Sequence, residues 1–322
     1  MIIDVHHHWM PREHVQNLAK YLRPGETLAQ KGKAWNIIYR GRNLFSPSPL
    51  YYSMEEQIRD MDESGIDMSA LSTSCWPEWT TMSMAPFINN AMAEVQAKYP
   101  DRFIGLAHVP IFDEGAMEEL ERAIKVLKLR GVCITTNTKG KYPDAPEFRP
   151  FFKKVSELDV PVIVHAAGAQ PSEQVQNIVF ASVITRPLLA RGLDHSLFVV
   201  RTLLSHVLDD FPNIKFINGH LGGALYFADK GRPGFDTPAY KKYESQLYFD
   251  TAPVGWNKLS LTFATASHGV EHVMMGSDYP VVASDSSGLK RGIAAINELE
   301  LTAQEKKLIL GGNAAKLFKI KD

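Results

Sequence analysis

The sequence predicts an α/β chain folded as a (β/α)8 (TIM) barrel, and three observations carry that prediction. Eight short runs rich in β-branched and apolar residues recur along the 322 residues. Longer stretches of helical periodicity separate them almost to the end, the alternation expected of parallel βα units. The first run ends in His6-His7-His8, where a doubly wound open sheet would carry a glycine-rich phosphate loop.

Taken in order, Ile2-Val5 opens the chain as an apolar strand, and Met54-Ser64 supplies the helical pattern before the second strand, Met68-Ser72. Met84-Lys98 leads to Phe103-His108, and Gly115-Lys128 to Gly131-Thr136. Glu147-Glu157 precedes Val160-His165, and Leu197-Phe211 precedes Ile214-Gly219. Leu247-Asp250 and Val273-Ser277 complete the set of eight, and Leu301-Asp322 reads as a closing helix. Residues 1–322 therefore read as one barrel domain with insertions at about 11–52 and 166–191. Pro11 to Tyr52 mixes aromatic and basic residues ahead of Ser46-Pro47-Ser48-Pro49, the composition of a loop laid over the barrel mouth. Both insertions follow strand C-termini, where barrels build their active sites.

Composition narrows the function. With 45% hydrophobic and 22% charged residues the chain can bury a large core. A net charge of −1 gives no electrostatic reason to expect nucleic acid or an anionic membrane as partner. No apolar run approaches the roughly 18 residues of a membrane span. Cys75 and Cys133 are too few and too far apart for a disulfide framework, so a reducing cytoplasm is the expected compartment.

The chemistry gathers at strand ends. Side chains alternate along a strand, so His6 and His8 project to one side and His7 to the other. His165, His220 and Asp278 each close a further apolar run. One such histidine is more often a satisfied core residue than a ligand, but five polar groups on four strand ends reverse that preference. A zinc-like ion takes imidazole nitrogens and a carboxylate and keeps a position open for water. His6, His8, His165 and Asp278 supply such a set, which leaves His220 as an acid or base beside it. Asp4 is placed to orient a metal-bound histidine through its second ring nitrogen. Asp250 reads equally as a group at the mouth and as a cap for the next turn.

The pattern Ile3-Asp4-Val5-His6-His7-His8, the mid-chain His165, His220-Leu221-Gly222-Gly223 and Gly276-Ser277-Asp278-Tyr279-Pro280 resemble the amidohydrolase superfamily. The resemblance is to the branch around aminocarboxymuconate-semialdehyde decarboxylase and covers essentially the whole chain. It implies a barrel of the metal-dependent hydrolase type with one divalent ion, zinc first and manganese second, on His6, His8, His165 and Asp278. His220 would assist proton transfer, with Asp278 as its partner. The fourth strand ends in Thr136 and not in a lysine, which argues against a carbamylated bridge and a second metal. His6 stands where benzoate-type decarboxylases of the branch carry glutamate. The insertion 166–191 holds no tryptophan, and Lys230 and Arg232 stand near the place of a partner-subunit arginine, at shifted spacing.

The activity so implied is non-oxidative decarboxylation of a small unsaturated or aromatic carboxylate. Hydrolysis of a lactone, ester or amide on the same ion is the alternative, and a catalytically silent metal-binding barrel is the reading from another class. Arg40 and Arg42 lie where relatives hold a substrate carboxylate, a task that suits a guanidinium fork. Trp76 and Trp79 follow the second strand and suit an aromatic pocket wall as well as rim packing. Cys75 reads as a bystander, and His206, His268 and His272 as structural or solvent-facing. Relatives are often dimers, so a homodimer is expected, with 228–243 at the contact.

Overall fold

In the computed structural model, residues 1–16, 18–22, 26–31, 34–39, 42–73, 80–167, 191–223 and 242–320 are described. β1 (Ile3–His8), β5 (Met68–Ser72), β6 (Phe103–Ala107), β7 (Gly131–Thr135), β8 (Val162–His165), β9 (Phe216–Asn218), β10 (Leu247–Asp250) and β11 (Val273–Met274) stand side by side in that order. Their neighbouring pairs are parallel. The sheet closes on itself through the Val5 amide donating to the Met275 carbonyl at 3.0 Å, Asp278 to His6 at 2.8 Å and His8 to Tyr279 at 2.7 Å. Helices such as Met54–Ser64, Ala85–Lys98, Ala116–Lys125 and Arg149–Leu158 connect the strands, as a right-handed βα repeat requires.

All barrel strands but one are buried at every residue, as they must be when both faces are covered. Ile3, Val5, Met68, Ala70, Ile104, Leu106, Cys133, Ile163, Ile217 and Met274 form one cluster that fills the lumen, and Ala314 and Phe318 plug it from the C-terminal segment. The alternate residues, including Leu71, Phe103, Val132, Val162, Val164 and Phe216, pack outward against the helices. Strict alternation from Ile3 and Val5 would turn His7 to the lumen side. A register shift between Asp4 and His7 reverses the phase, and a bulge of this kind re-aims a side chain. His6 and His8 thus face the mouth together, while His7 stacks on Tyr279 with ring centroids 4.7 Å apart.

Three segments differ from expectation. The stretch from Pro11 to Tyr52 is not a plain loop: β2 (Glu26–Lys31), β3 (Ala34–Tyr39) and β4 (Arg42–Phe45) form an antiparallel sheet. Ile37 joins Met10, Val15 and Tyr51 in a small core, and the Met10 amide donates to the Tyr51 carbonyl at 2.9 Å, which seats the segment at the C-terminal end of β1. The tail is not a single α-helix, because Ala303–Lys307 and Asn313–Leu317 flank a π-helical turn at Leu308–Gly312. There a Cβ at Gly311 would meet the Met1 carbonyl oxygen at 2.5 Å. β11 is only two residues long, so Gly276 to Asp278 leave the ladder before the site.

His108, at the end of β6, shows how burial couples the fold to pH. It is fully buried and its Nε2 accepts the Thr73 amide at 3.2 Å. Burial drives its pKa down to about 3, and His14 is lowered in the same way to about 4. Their neutral forms are preferred in the fold, so their contribution is complete above the unfolded value of about 6.5 and is lost as pH falls below it. Each pH unit in that window costs about 1.4 kcal/mol per histidine. Chelator-treated protein is expected to unfold at progressively lower temperature between pH 6.5 and pH 4, and a constant midpoint over that range would contradict the assignment.

Candidate metal centre and active site

Asp278 owes its place to backbone geometry. It sits at φ +56°, a conformation rarely taken by residues other than glycine, directly after the chain leaves β11. The turn is fixed by Asp4, which accepts from the Ser277 hydroxyl at 2.5 Å and from the His6 and Ser277 amides at 3.0 Å each. A Cβ at Gly276 would crowd those of Asp250 and His6, both 3.0 Å away, which favours glycine there.

These supports bring His6, His8, His165 and Asp278 together. Their ligand atoms all lie within 4.8 Å of one another, and all four residues are buried. The ring centroids of His6 and His8 are 5.0 Å apart, those of His6 and His165 5.1 Å, and those of His8 and His165 5.0 Å. Each outer ring nitrogen is engaged. His6 Nδ1 meets Asp250 Oδ2 at 2.8 Å, His8 Nδ1 meets Ser72 Oγ at 2.8 Å, and His165 Nδ1 donates to the Ala166 carbonyl at 2.9 Å. Such outer partners fix the ring and leave the other nitrogen for a metal. His6 Nε2 and Asp278 Oδ2 are buried with no hydrogen-bond partner, a cost that a bound cation removes. The cluster therefore fits a divalent metal site.

Its electrostatics point the same way. Burial pushes Asp278 upward, but the His8 hydrogen bond and the charges of His6, His8 and His220 outweigh it and hold the carboxylate well below its usual range. Burial lowers His8 to about 4 and brings His165 well below the ordinary histidine value. His6 alone moves up, to about 9, because the charge and hydrogen bond of Asp250 overcome burial. Asp278 Oδ1 lies 2.9 Å from His8 Nε2 and 3.6 Å from His6 Nε2, and the second carboxylate, Asp250, decides which ring holds the proton. Two imidazoles held neutral, a third whose Nε2 proton a cation would displace, and an ionised carboxylate are the donor set of a zinc-like ion.

His220 stands beside the cluster, 5.1 Å from His6 and 6.1 Å from His165 between ring centroids. Its Nδ1 donates to the Ala252 carbonyl at 2.6 Å and its amide donates to Asp250 Oδ1 at 3.1 Å. Nε2 is buried and unpartnered. Burial, followed by the charge of His6, lowers its pKa, which favours the neutral imidazole.

Asp4 does not orient a metal histidine ring, since its side chain pairs with His7 Nδ1 at 3.1 Å. Asp250 takes that role for His6 and also holds the His220 backbone. Among the substrate-contact candidates, Arg40 and Trp76 lie outside the described residues. Arg42 lies on β4, with its side chain outside the description. Trp79, Cys75, Lys230, Arg232 and most of 166–191 and 228–243 also lie outside it. His206 is exposed, His272 bonds the Leu247 carbonyl at 3.0 Å and His268 stacks on Phe249 with centroids 3.8 Å apart, all away from the cluster.

Two residues near the site are invisible to a reading of strand tips. Arg191 and His195 lie on the helix Arg191–Leu204, where periodicity predicts a helix only from Leu197. His195 is fully buried, with its ring 5.2 Å from that of His220.

The family model described as "Amidohydrolase" matches residues 3–320. A gamma-resorcylate decarboxylase of Polaromonas sp. strain JS666 is 28% identical over 291 residues, 83% of this chain and 87% of its own. A 2-amino-3-carboxymuconate-6-semialdehyde decarboxylase of Dictyostelium discoideum is 26% identical over 278 residues, covering 80% of this chain and 74% of its own. A crystal structure of a dihydroxybenzoic acid decarboxylase from Polaromonas sp. JS666, with bound manganese and the inhibitor 2-nitroresorcinol, superposes with a TM-score of 0.76 at 21% identity. It covers 99% of this chain and 97% of that one.

Proposed function

Because the chain belongs to the amidohydrolase family, whose model spans residues 3–320, we propose that it is a metal-dependent carboxy-lyase that removes carbon dioxide, without oxidation, from a small aromatic carboxylate. The observation that carries the reading is His220, an imidazole with one nitrogen anchored and the other bare, placed 5.1 Å from the nearest ring of the cluster. Decarboxylase relatives that cover four-fifths of the chain support it.

A divalent ion on His6, His8, His165 and Asp278, which we read as zinc with manganese as the other candidate, would supply Lewis acidity at the substrate oxygens. Neutral His220 takes a proton that enters with the substrate and returns it to the carbon that bears the carboxylate. The bond from that carbon to the carboxylate then breaks, carbon dioxide leaves, and the electron pair of the broken bond restores the ring. Asp278, held ionised, keeps the adjacent imidazoles in place and favours the protonated form of His220 while the proton is in transit. Asp250 couples the two halves, because one oxygen holds the His6 ring and the other the His220 amide. A homodimer and a cytoplasmic setting belong to the same reading, and light scattering that finds only monomer would remove the first.

The test is to supply purified protein with a panel of hydroxybenzoic acids, aromatic dicarboxylic acids, lactones and esters while following carbon dioxide release and acid production together. The expected result is carbon dioxide from at least one aromatic acid with an equal amount of the ring product. Acid from lactones or esters, with no carbon dioxide from any acid, would replace this reading by a hydrolase.

A further inference from the structure

Beside His220, in addition to the four-residue cluster, stand two groups that the proposed reaction leaves unused. His195 is buried, with its ring 5.2 Å from that of His220 and steeply inclined to it, and neither of its ring nitrogens has a partner. Arg191 is one helical turn earlier, so both side chains lie on one face of the helix Arg191–Leu204. The Arg191 Nε is buried and unpartnered, and among the described residues no carboxylate pairs with its guanidinium. Asp194, the nearest acid in sequence, is already taken by Thr136, Asn137 and Tyr142.

Through the neighbouring Gly192 and Ser196, the helix is docked onto the turn that carries His220. A Cβ at Gly223 would lie 1.9 Å from the Gly192 carbonyl oxygen, a contact only glycine at φ +77° permits, and Ser196 Oγ donates to the carbonyls of Gly192 at 2.8 Å and Gly222 at 3.4 Å. The arginine charge is felt at both His195 and His220. A partly buried guanidinium that no described carboxylate compensates, beside an unsatisfied imidazole, is a poor core and a good anion site.

We propose that Arg191 and His195 form a subsite for an anionic group that the substrate retains, a second carboxylate on the same ring. The inference rests on the carboxy-lyase reading in one respect, the choice of which carboxylate leaves. A guanidinium fork on the departing group would stabilise the reactant more than the transition state and would slow its loss. On a group that stays, the same fork orients the ring at no such cost and selects dicarboxylic over monocarboxylic aromatic acids.

The test measures calorimetric binding of isophthalate, its monomethyl ester and benzoate to the protein purified with its own metal. Wild type is expected to favour isophthalate over the other two by about 10- to 100-fold, the worth of a charge-assisted bidentate contact. Arg191→Gln should abolish that preference and leave benzoate unchanged, and Arg191→Lys should retain part of it. Equal binding of the three probes by wild type overturns the proposal without recourse to any variant, as does an equal loss for all three in a folded Arg191→Gln protein. Binding needs no turnover. A selective loss of isophthalate in protein that releases no carbon dioxide would sustain the subsite and remove the carboxy-lyase reading.

Discussion

His220→Ala is expected to keep its metal and to lose about a hundred- to ten-thousandfold of its turnover, the usual worth of a positioned acid–base group. The side chain is outside the four-ligand set, and its Nδ1 is spent on the Ala252 carbonyl at 2.6 Å. Its backbone amide still donates to Asp250 after the substitution, so the support of His6 survives. The bare Nε2 is what disappears, and with it the titration of a group whose pKa burial places below the ordinary histidine value. The check is kcat across pH alongside elemental analysis of the same preparation. Loss of metal in parallel with activity would make His220 a ligand and move the base elsewhere.

His165→Ala is expected to do the opposite, releasing the metal together with the activity. His165 donates from Nδ1 to the Ala166 carbonyl, which leaves Nε2 on the side of His6 and His8. Partners behind a ligand are worth about 10- to 100-fold in metal affinity, so removing the ligand itself should exceed that. The remaining His6, His8 and Asp278 still form a partial site. Excess metal should therefore restore some occupancy, and titration with manganese or zinc followed by activity measurement reads both effects. A variant that binds metal as wild type does would place His165 outside the site.

Much of this was legible in the sequence, because a strand that ends at a polar residue is a local signal. All eight barrel strands were readable from their apolar runs, and Met68–Ser72 and Leu247–Asp250 have the bounds that those runs indicate. His165 closes Val162–His165, as an apolar run stopped by a polar group requires. His6 and His8 share a side as alternation predicts, but that side faces the mouth only because the register shift between Asp4 and His7 reverses the phase that Ile3 and Val5 set. Pairing partners decide such a shift, and a single strand does not display them. The sheet β2–β4 was missed because its strands bury little: only Glu26 and Ile37 among their described side chains are buried. Arg191 and His195 were out of reach for a different reason. They lie on a helix face, and nothing local states which turn of a helix will lie against the end of β9.

Four side chains from three strand ends are proposed to hold one divalent ion beside His220. Anomalous diffraction at the absorption edge of the metal, from crystals of the protein as purified, tests that proposal most directly. A single peak per chain is expected, about 2.0–2.2 Å from the nitrogens of His6, His8 and His165 and from an Asp278 oxygen, with His220 outside bonding distance. Two peaks, or one peak bonded to His220 with His165 turned away, would contradict it.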